Sequence, residues 1–377
     1  MVHLWLRAET KPMEHRAALT PSTCAELLQG GFKITIEESP ERIFDDNEYL
    51  VQAGKISGLG QDQFKLVPAG GWRNAPADAY IIGLKELPEG ENGPLSHTHI
   101  FFAHCFKNQG GWMDILGRFD TGNGTILDLE FLNDANGRRV AAFGYHAGFA
   151  GAAIGVDNWC HQKLNPGQPM PPYKPFPNEN ALISHIKSRL ERAVNNDEVP
   201  EFMVMGALGR CGKGACDLAH AVGIPNNKII KWDLEETKEG GPFPRILQSS
   251  IFVNCIYLNK PIPPFFTKDM LDGGRELSVI VDVSCDTTNP HNPIPVYTVN
   301  TTFDEPVVPV LTKNPRPLDV CSIDHLPTLL PRESSEAFSN DLLPTIKDLQ
   351  TREQSAVWGG AETIFKEKVQ AMRNEKK

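Results

Sequence analysis

Short apolar runs recur along the chain, each ending in polar or glycine-containing residues and separated from the next by segments of helical period. In the first half they fall at residues 2–7, 33–37, 79–84, 99–106 and 125–131. In the second half they fall at 201–205, 228–233, 251–256 and 278–283. The later runs lack clean polar alternation, as expected of strands covered by helices on both faces. Strands alternating with helices predict βαβ units and mostly parallel sheets. Helix punctuation supports this. Thr20 and Pro21 read as the cap and first residue of a helix that stops at Gly30-Gly31. Residues 140–156 carry no formal charge, are interrupted by His146, and fall short of the ~20 residues a membrane span needs. They predict a packed internal helix in which Gly144, Gly148, Gly151 and Gly155 allow close backbone approach. Residues 55–65 and 165–172 read as loops, the proline-rich stretch 290–317 is unsuited to helix, and 335–349 and 354–373 read as terminal helices.

Composition narrows the class. A chain of 377 residues predicts two domains at roughly 150 residues each. Forty per cent hydrophobic and 22% charged residues exclude a disordered chain. The net charge of −10 argues against nucleic acid or an anionic membrane as partner. The first nine residues meet charge too early for a secretion signal, and none of the eight cysteines forms a CxxC pair, so reduced thiols and a cytoplasmic location are expected. No internal repeat or low-complexity tract interrupts the pattern.

The strongest local motif follows the run at 201–205, where Gly206-Ala207-Leu208-Gly209-Arg210-Cys211-Gly212 opens a helical segment. Glycines in such a turn let the backbone approach a pyrophosphate, and the helix N-terminus offers N–H donors to its charge. The spacing GxxGxxG departs from the usual GxGxxG, but the next strand ends in Asp233, about 20 residues further on, placed to bind ribose hydroxyls. A 2′-phosphate would be repelled there, so NAD is preferred over NADP; a glycine-rich turn that binds nothing is the alternative. The fold class expected is therefore α/β, with two Rossmann-like doubly wound domains facing across a cleft: 1–136 plus 328–377 on the substrate side and 137–327 binding NAD. Cys211 and Cys255 fall at the same sheet edge, where they read either as two thiols or as a regulatory disulfide able to block NAD.

Ionisable groups cluster near strand ends in the first half. Lys85-Glu86 closes one run and reads either as a proton carrier beside a carboxylate or as a solvated pair. His97, His99 and His104 follow; alternation places His104 on the face opposite Phe101 and Cys105, and histidine titrates near neutrality. His97-Thr98-His99 invites a metal reading, but no carboxylate or thiolate set accompanies it, and no metal is expected. Asp128, Glu130, Arg138 and Arg139 form a third group, with Arg7 and Arg16 as further carboxylate-clamp candidates.

Beyond these residue types, the stretches LRAETKP, IIGLKE, FAHCFK, DLEFL, GRRVAAFGYHAGFAGAA, GALGRCG, NCIYL, VDVSCDTTNPHNPIP and SIDHLPTLLPRE closely resemble the NAD-dependent, lysine-forming saccharopine dehydrogenases of the fungal lysine pathway. That family is similar in turn to alanine dehydrogenase and transhydrogenase. The resemblance covers nearly the whole chain. It implies an oxidoreductase of lysine biosynthesis by the alpha-aminoadipate pathway, acting on a CH–NH donor: saccharopine, NAD and water give lysine, 2-oxoglutarate and NADH through an imine.

Site residues follow from the same resemblance. Lys85 and His104 correspond to its acid–base groups, and Glu86 and Glu130 to the carboxylates that tune them. Arg16, Gln109, Arg139, Phe143, Ser284, Cys285 and Asp286 correspond to substrate contacts. Arg138, Gly209, Arg210, Asp233, Thr237, Tyr257, Val283, Ile323, Asp324, His325 and Leu326 correspond to cofactor contacts. A monomer with small-molecule substrates and a basic patch in its cleft is expected. An alanine-type amino-acid dehydrogenase, or a non-catalytic NAD-sensing relative, remains the alternative.

Overall fold

The run at the N-terminus forms the middle of a parallel sheet. The computed structural model describes residues 1–88, 90–107, 109–195, 198–258, 260–284 and 292–375. Two units emerge, one of Met1–Ala142 with Pro331–Lys377 and one of Phe143–Leu330.

In the first unit, β1 (His3–Leu6), β2 (Lys33–Glu37), β3 (Phe64–Val67), β4 (Tyr80–Ile82), β5 (Thr98–Phe101) and β6 (Thr125–Asp128) lie in the order β3-β2-β1-β4-β5-β6, all parallel. The winding direction reverses between β1 and β4, and at such a switch point the loops beyond the carboxyl ends diverge and leave room for a ligand. Register aligns those ends, with Leu6 beside Ile82 and Phe101 beside Asp128. Helix α1 (Pro21–Gln29) starts as expected, the Thr20 hydroxyl accepting from the Thr23 amide and Pro21 opening the first turn. Helices α2 (Asp46–Gly54) and α3 (Trp112–Gly122), with the terminal helices Pro331–Lys347 and Ala356–Glu375, complete the unit. One core joins Trp5, Ile81, Phe101, Phe119, Ile126 and Phe365.

The second unit holds β7 (Phe202–Met205), β8 (Ile229–Trp232), β9 (Ile251–Asn254), β10 (Val279–Asp282), β11 (Val308–Pro309) and β12 (Asp319–Cys321), ordered β11-β12-β10-β9-β7-β8. All pairings are parallel except that of the short edge strand β11. Its first three helices are α4 (Gly144–Leu164), α5 (Glu179–Val194) and α6 (Arg210–Ala221). The glycines of α4 set its packing. A Cβ on Gly148 would lie 1.8 Å from the Cys211 carbonyl oxygen in α6, and one on Gly155 would lie 2.6 Å from Val281 of β10. The reverse face matches, because a Cβ on Gly214 of α6 would meet the Tyr145 carbonyl oxygen at 2.0 Å. Gly144 differs: its added Cβ would make only ordinary contacts, 3.6 Å from Arg210 Cβ.

The fold class is the α/β one expected, with two mostly parallel sheets. Several elements are shorter than the apolar runs. The run at 99–106 is a strand only to Phe101, and that at 125–131 turns after Asp128 into a 3-10 turn, Leu129–Phe131. Strand β3 begins inside the segment read as a loop, and α2, α3, α5 and β12 are additional elements. Among the described residues no helix is long and apolar enough to cross a membrane.

Buried histidines give the molecule an acid-side weakness. Burial, reinforced by Lys33, lowers the His3 pKa from its ordinary value to about 4, and burial does the same to His146. Burial also holds His99 well below its ordinary value, and neither ring nitrogen has a hydrogen-bond partner among the described residues. It is wedged edge-on against Trp72 and Phe119, with ring centroids 5.2 and 5.1 Å away. Above pH 6.5 these rings are neutral in both states and contribute no pH dependence. Below it the unfolded chain takes up protons that the folded chain refuses, so stability falls as pH drops from 6.5 towards 4. The loss is of the order of 2 kcal/mol each for His3 and His146. Asp128 opposes it: burial raises its pKa to about 6, so its folded state holds a proton between pH 4 and 6 that the unfolded state has lost. The three histidines outweigh one carboxyl. A thermal midpoint measured from pH 7 to pH 4 is expected to fall steadily, and a flat or rising curve would contradict this balance.

Candidate active site

In the first unit the chain leaves β1, β4, β5 and β6 on the same side of the sheet, and five ionisable groups meet there. Beyond β4 come Lys85 and Glu86, beyond β5 comes His104, and β6 ends in Asp128 two residues before Glu130. The His104 Nδ1 and Glu86 Oε1 atoms are 2.5 Å apart. Burial alone would raise the Glu86 pKa, but the hydrogen bond and charge of His104, helped by Lys85, hold it at about 2. Glu86 is thus a carboxylate at every physiological pH. Lys11 Nζ lies 4.0 Å from its other oxygen. Glu130 pairs instead with Lys107, whose Nζ donates to Oε1 at 2.8 Å.

His104 does not sit where strand alternation places it. The strand has ended three residues earlier, and His104 occupies left-handed backbone at φ 48°, a region costly for a residue with a Cβ. The neighbouring contacts over-determine that conformation. The Ala103 amide donates to Asp128 Oδ2 at 3.2 Å, and the Glu130 amide donates to Asp128 Oδ1 at 2.8 Å. One buried carboxyl therefore ties the loop that carries His104 to the turn that carries Glu130.

Arg16 is nearby in sequence to a partner that the sequence did not single out. Its Nε and Nη2 donate to the two oxygens of Glu14 at 2.8 and 2.6 Å, with both side chains buried. Burial of Glu14 works to raise its pKa, yet Arg16, and more distantly Lys85, bring it below the usual value. Gln109 Oε1 accepts from the Lys107 amide at 2.8 Å, beside the Lys107–Glu130 pair. Arg138 and Arg139 are exposed on a tight turn in which the Arg138 amide donates to Asp134 Oδ1 at 2.9 Å. Arg7 is not the carboxylate clamp that its residue type invites: it is 2% exposed and turned onto the protein's own backbone. His97 Nε2 lies 3.0 Å from the Ala75 carbonyl oxygen, and among the described residues no group of three or more His, Cys, Asp or Glu side chains could hold a metal ion.

The second unit builds the glycine-rich turn. Gly206 leaves β7 at φ 82°, which only glycine adopts freely, and its amide and that of Ala207 both donate to the Trp232 carbonyl, at 2.8 and 3.0 Å. A Cβ on Gly212 would fall 2.1 Å from the Gly206 carbonyl oxygen, so the turn packs directly on the start of α6. That leaves a backbone cradle at a helix N-terminus, whose first-turn amides have no acceptor within the helix. Asp233 closes one side. Its Oδ2 accepts from the Leu208 amide and its Oδ1 from the Leu234 amide, both at 3.0 Å, while the Thr237 hydroxyl donates to its carbonyl oxygen at 2.8 Å. The carboxylate also accepts from the Glu236 amide and keeps a lone-pair site for a ligand hydroxyl. Cys211 and Cys255 are free thiols in contact; burial first, then Cys211, raises the Cys255 pKa well above its ordinary value.

The remaining expected residues of this unit are dispersed along the carboxyl edge. Gly209 caps α6 and Arg210 opens it, and Phe143 stands just before α4. Tyr257 and Ser284 line one small recess with Asn254 and Asp282, and the Val283 amide donates to the Asn254 carbonyl at 3.0 Å. Ile323 bridges to Thr301, Asp324 and His325 pair at 2.5 Å, and Leu326 is buried against α4 near Gly151. Cys285 and Asp286 lie outside the described residues.

The family model described as alanine dehydrogenase/PNT, N-terminal domain, matches residues 5–150. A saccharopine dehydrogenase (NAD(+), L-lysine-forming) of Schizosaccharomyces pombe is 57% identical over 374 residues, 98% of this chain and 99% of its own. One of Yarrowia lipolytica is 58% identical over 367 residues, 97% of this chain and 96% of its own. Among solved structures, an L-alanine dehydrogenase covers 99% of both chains with a TM-score of 0.66, and the transhydrogenase from Sinorhizobium meliloti covers 95% of this chain and 97% of its own with 0.64. Both are 13% identical and bear on the fold alone. With identity above one half over nearly the full length, the chain belongs to the family of NAD(+), L-lysine-forming saccharopine dehydrogenases.

Proposed function

We propose that the chain oxidises saccharopine with NAD to lysine and 2-oxoglutarate, and that Lys85 and His104 carry the proton transfers. The observation that carries the residue assignment is the convergence of Lys85, Glu86, His104 and Glu130 at the carboxyl edge beside the switch point of the first unit. Nitrogen must be deprotonated before its neighbouring carbon can give up a hydride, and the Lys85 amine is the acceptor. NAD, held by Gly209, Arg210 and Asp233, would supply the acceptor for that hydride. The resulting C=N bond is attacked by water, from which His104 removes a proton. The C–N bond of the carbinolamine then breaks as lysine nitrogen regains a proton, leaving 2-oxoglutarate. Glu86 orients the imidazole through Nδ1, leaving Nε2 for chemistry. Lys107 and Glu130 form a second charged pair beside the same groups.

The second unit supplies the NAD site in this reading. Its glycines fit the group because a Cβ at Gly206 would press on Ile256 and one at Gly212 on the Gly206 carbonyl oxygen, so the turn could not keep its shape at the helix N-terminus. Gly209 and Arg210 bind the pyrophosphate, and Asp233 accepts from the adenosine ribose hydroxyls. The arginines Arg16 and Arg139 are the carboxylate-binding groups for a substrate that carries three. Asp233→Ala is expected to weaken NAD binding and to raise the relative use of NADP. The check is the ratio of kcat/KM for the two cofactors; an unchanged ratio would remove Asp233 from ribose recognition.

A further inference from the structure

Lys85 sits in a loop, yet its peptide unit is held from both sides by residues that follow β1. The Leu84 amide donates to Glu9 Oε1 at 2.7 Å and the Lys85 amide to Glu9 Oε2 at 3.0 Å. The Lys85 carbonyl oxygen accepts from Arg7 Nη2. Arg7 and Glu9 are themselves paired, with Nη1 3.4 Å from Oε2, and their side chains are 1% and 8% exposed. The guanidinium lies over the Phe101 ring at 5.8 Å, and its Nε has no hydrogen-bond partner among the described residues. It also explains Gly83, where a Cβ would stand 2.5 Å from Arg7 Nε and 2.6 Å from Cζ. Burying such a pair costs desolvation that apolar side chains of similar size would avoid. What it provides is a fixed donor and a fixed acceptor on consecutive backbone groups of the loop.

We propose that Glu9 and Arg7 are positioning residues for the reaction: together they clasp the backbone of Lys85 so that its amine meets the substrate nitrogen. Resting on the reading of Lys85 as proton acceptor, the clasp acts through Lys85 alone. Neither residue is required to touch substrate or NAD. A carboxylate suits position 9, because each of its two oxygens takes one of the two amides. An amide there would present one oxygen and one N–H group, and the N–H group would face a backbone donor. Misplacing a reacting group by about 1 Å costs on the order of 100-fold in rate.

The experiment compares Glu9→Gln, Lys85→Met and the double variant in the full-length protein, with saccharopine and NAD. Glu9→Gln is expected to lower kcat by about 10-fold or more, with the KM for saccharopine and NAD affinity near wild type. The double variant is expected to be no slower than Lys85→Met, because the clasp has nothing left to position. A Glu9→Gln enzyme with wild-type kcat overturns the clasp. So does a double variant slower than Lys85→Met by the full Glu9→Gln factor, since a general structural defect would multiply. Gly83→Ala keeps the test available if Glu9→Gln fails to fold: displacing the guanidinium is expected to lower kcat in the same way, again without effect on a Lys85→Met background. Wild-type activity in Lys85→Met would instead defeat the assignment of Lys85 itself.

Discussion

Replacing Lys85 with methionine lowers the maximal rate of saccharopine oxidation about 100-fold or more, at the lower end of what a positioned acid–base group contributes, and leaves NAD affinity near wild type. Methionine keeps the unbranched, apolar part of the lysine stem and removes the amine, so packing changes little while the proton acceptor is lost. Lys85 stands on the first unit and the glycine-rich turn on the second, which is why cofactor affinity is expected to survive. The same variant should lose the limb of the pH–rate profile that requires a neutral acceptor. Titration of NAD binding and a rate profile across pH check the two parts. A variant with near-normal rate would take Lys85 out of the chemistry and leave His104 as the sole acid–base candidate.

Gly148→Ala is expected to cost about 3 kcal/mol of stability or more, at the upper end of overpacking penalties. A methyl group at that position would stand 1.8 Å from the Cys211 carbonyl oxygen, a backbone atom that cannot rotate away. Relief requires α4 and α6 to separate, and α6 is the helix whose N-terminus forms the proposed pyrophosphate cradle. NAD affinity should therefore fall together with the denaturation midpoint. Gly144→Ala is the control from the same helix. Its methyl group meets only ordinary contacts, and alanine favours helix over glycine by roughly 0.5–1 kcal/mol, so that variant should be neutral to stabilised. Equal stability of the two alanine variants would show that close approach does not govern this helix pair.

These two cases also mark what the sequence makes legible. Glycines at helical spacing in an uncharged segment announce a tight helix contact, because their only advantage over alanine is space. Gly206, Gly209 and Gly212 between an apolar run and a helix, with Asp233 closing the next strand, are equally local signals. The groups at 85, 86, 104 and 130 are readable as ionisable residues near strand ends. What escapes is the long-range part. Glu9 meets the amides of Leu84 and Lys85 across more than seventy residues, and the Arg7 guanidinium explains Gly83 only once β1 and β4 are paired. The apolar pattern also overruns the strands at the active edge. His104 reads as part of a strand because Phe101, Phe102 and Phe106 surround it, whereas Asp128 and Glu86 hold it in left-handed backbone. Short strands such as β3 and β12, with mixed polar faces, carry too few residues to establish a period.

Substrate identity tests the account most directly. The purified protein is mixed with NAD and either saccharopine or alanine, and NADH is followed by its absorbance while lysine and 2-oxoglutarate are quantified. The expected result is NADH formation with saccharopine, accompanied by lysine and 2-oxoglutarate in equal amounts, and no turnover of alanine. NADH formed from alanine but not from saccharopine would contradict it.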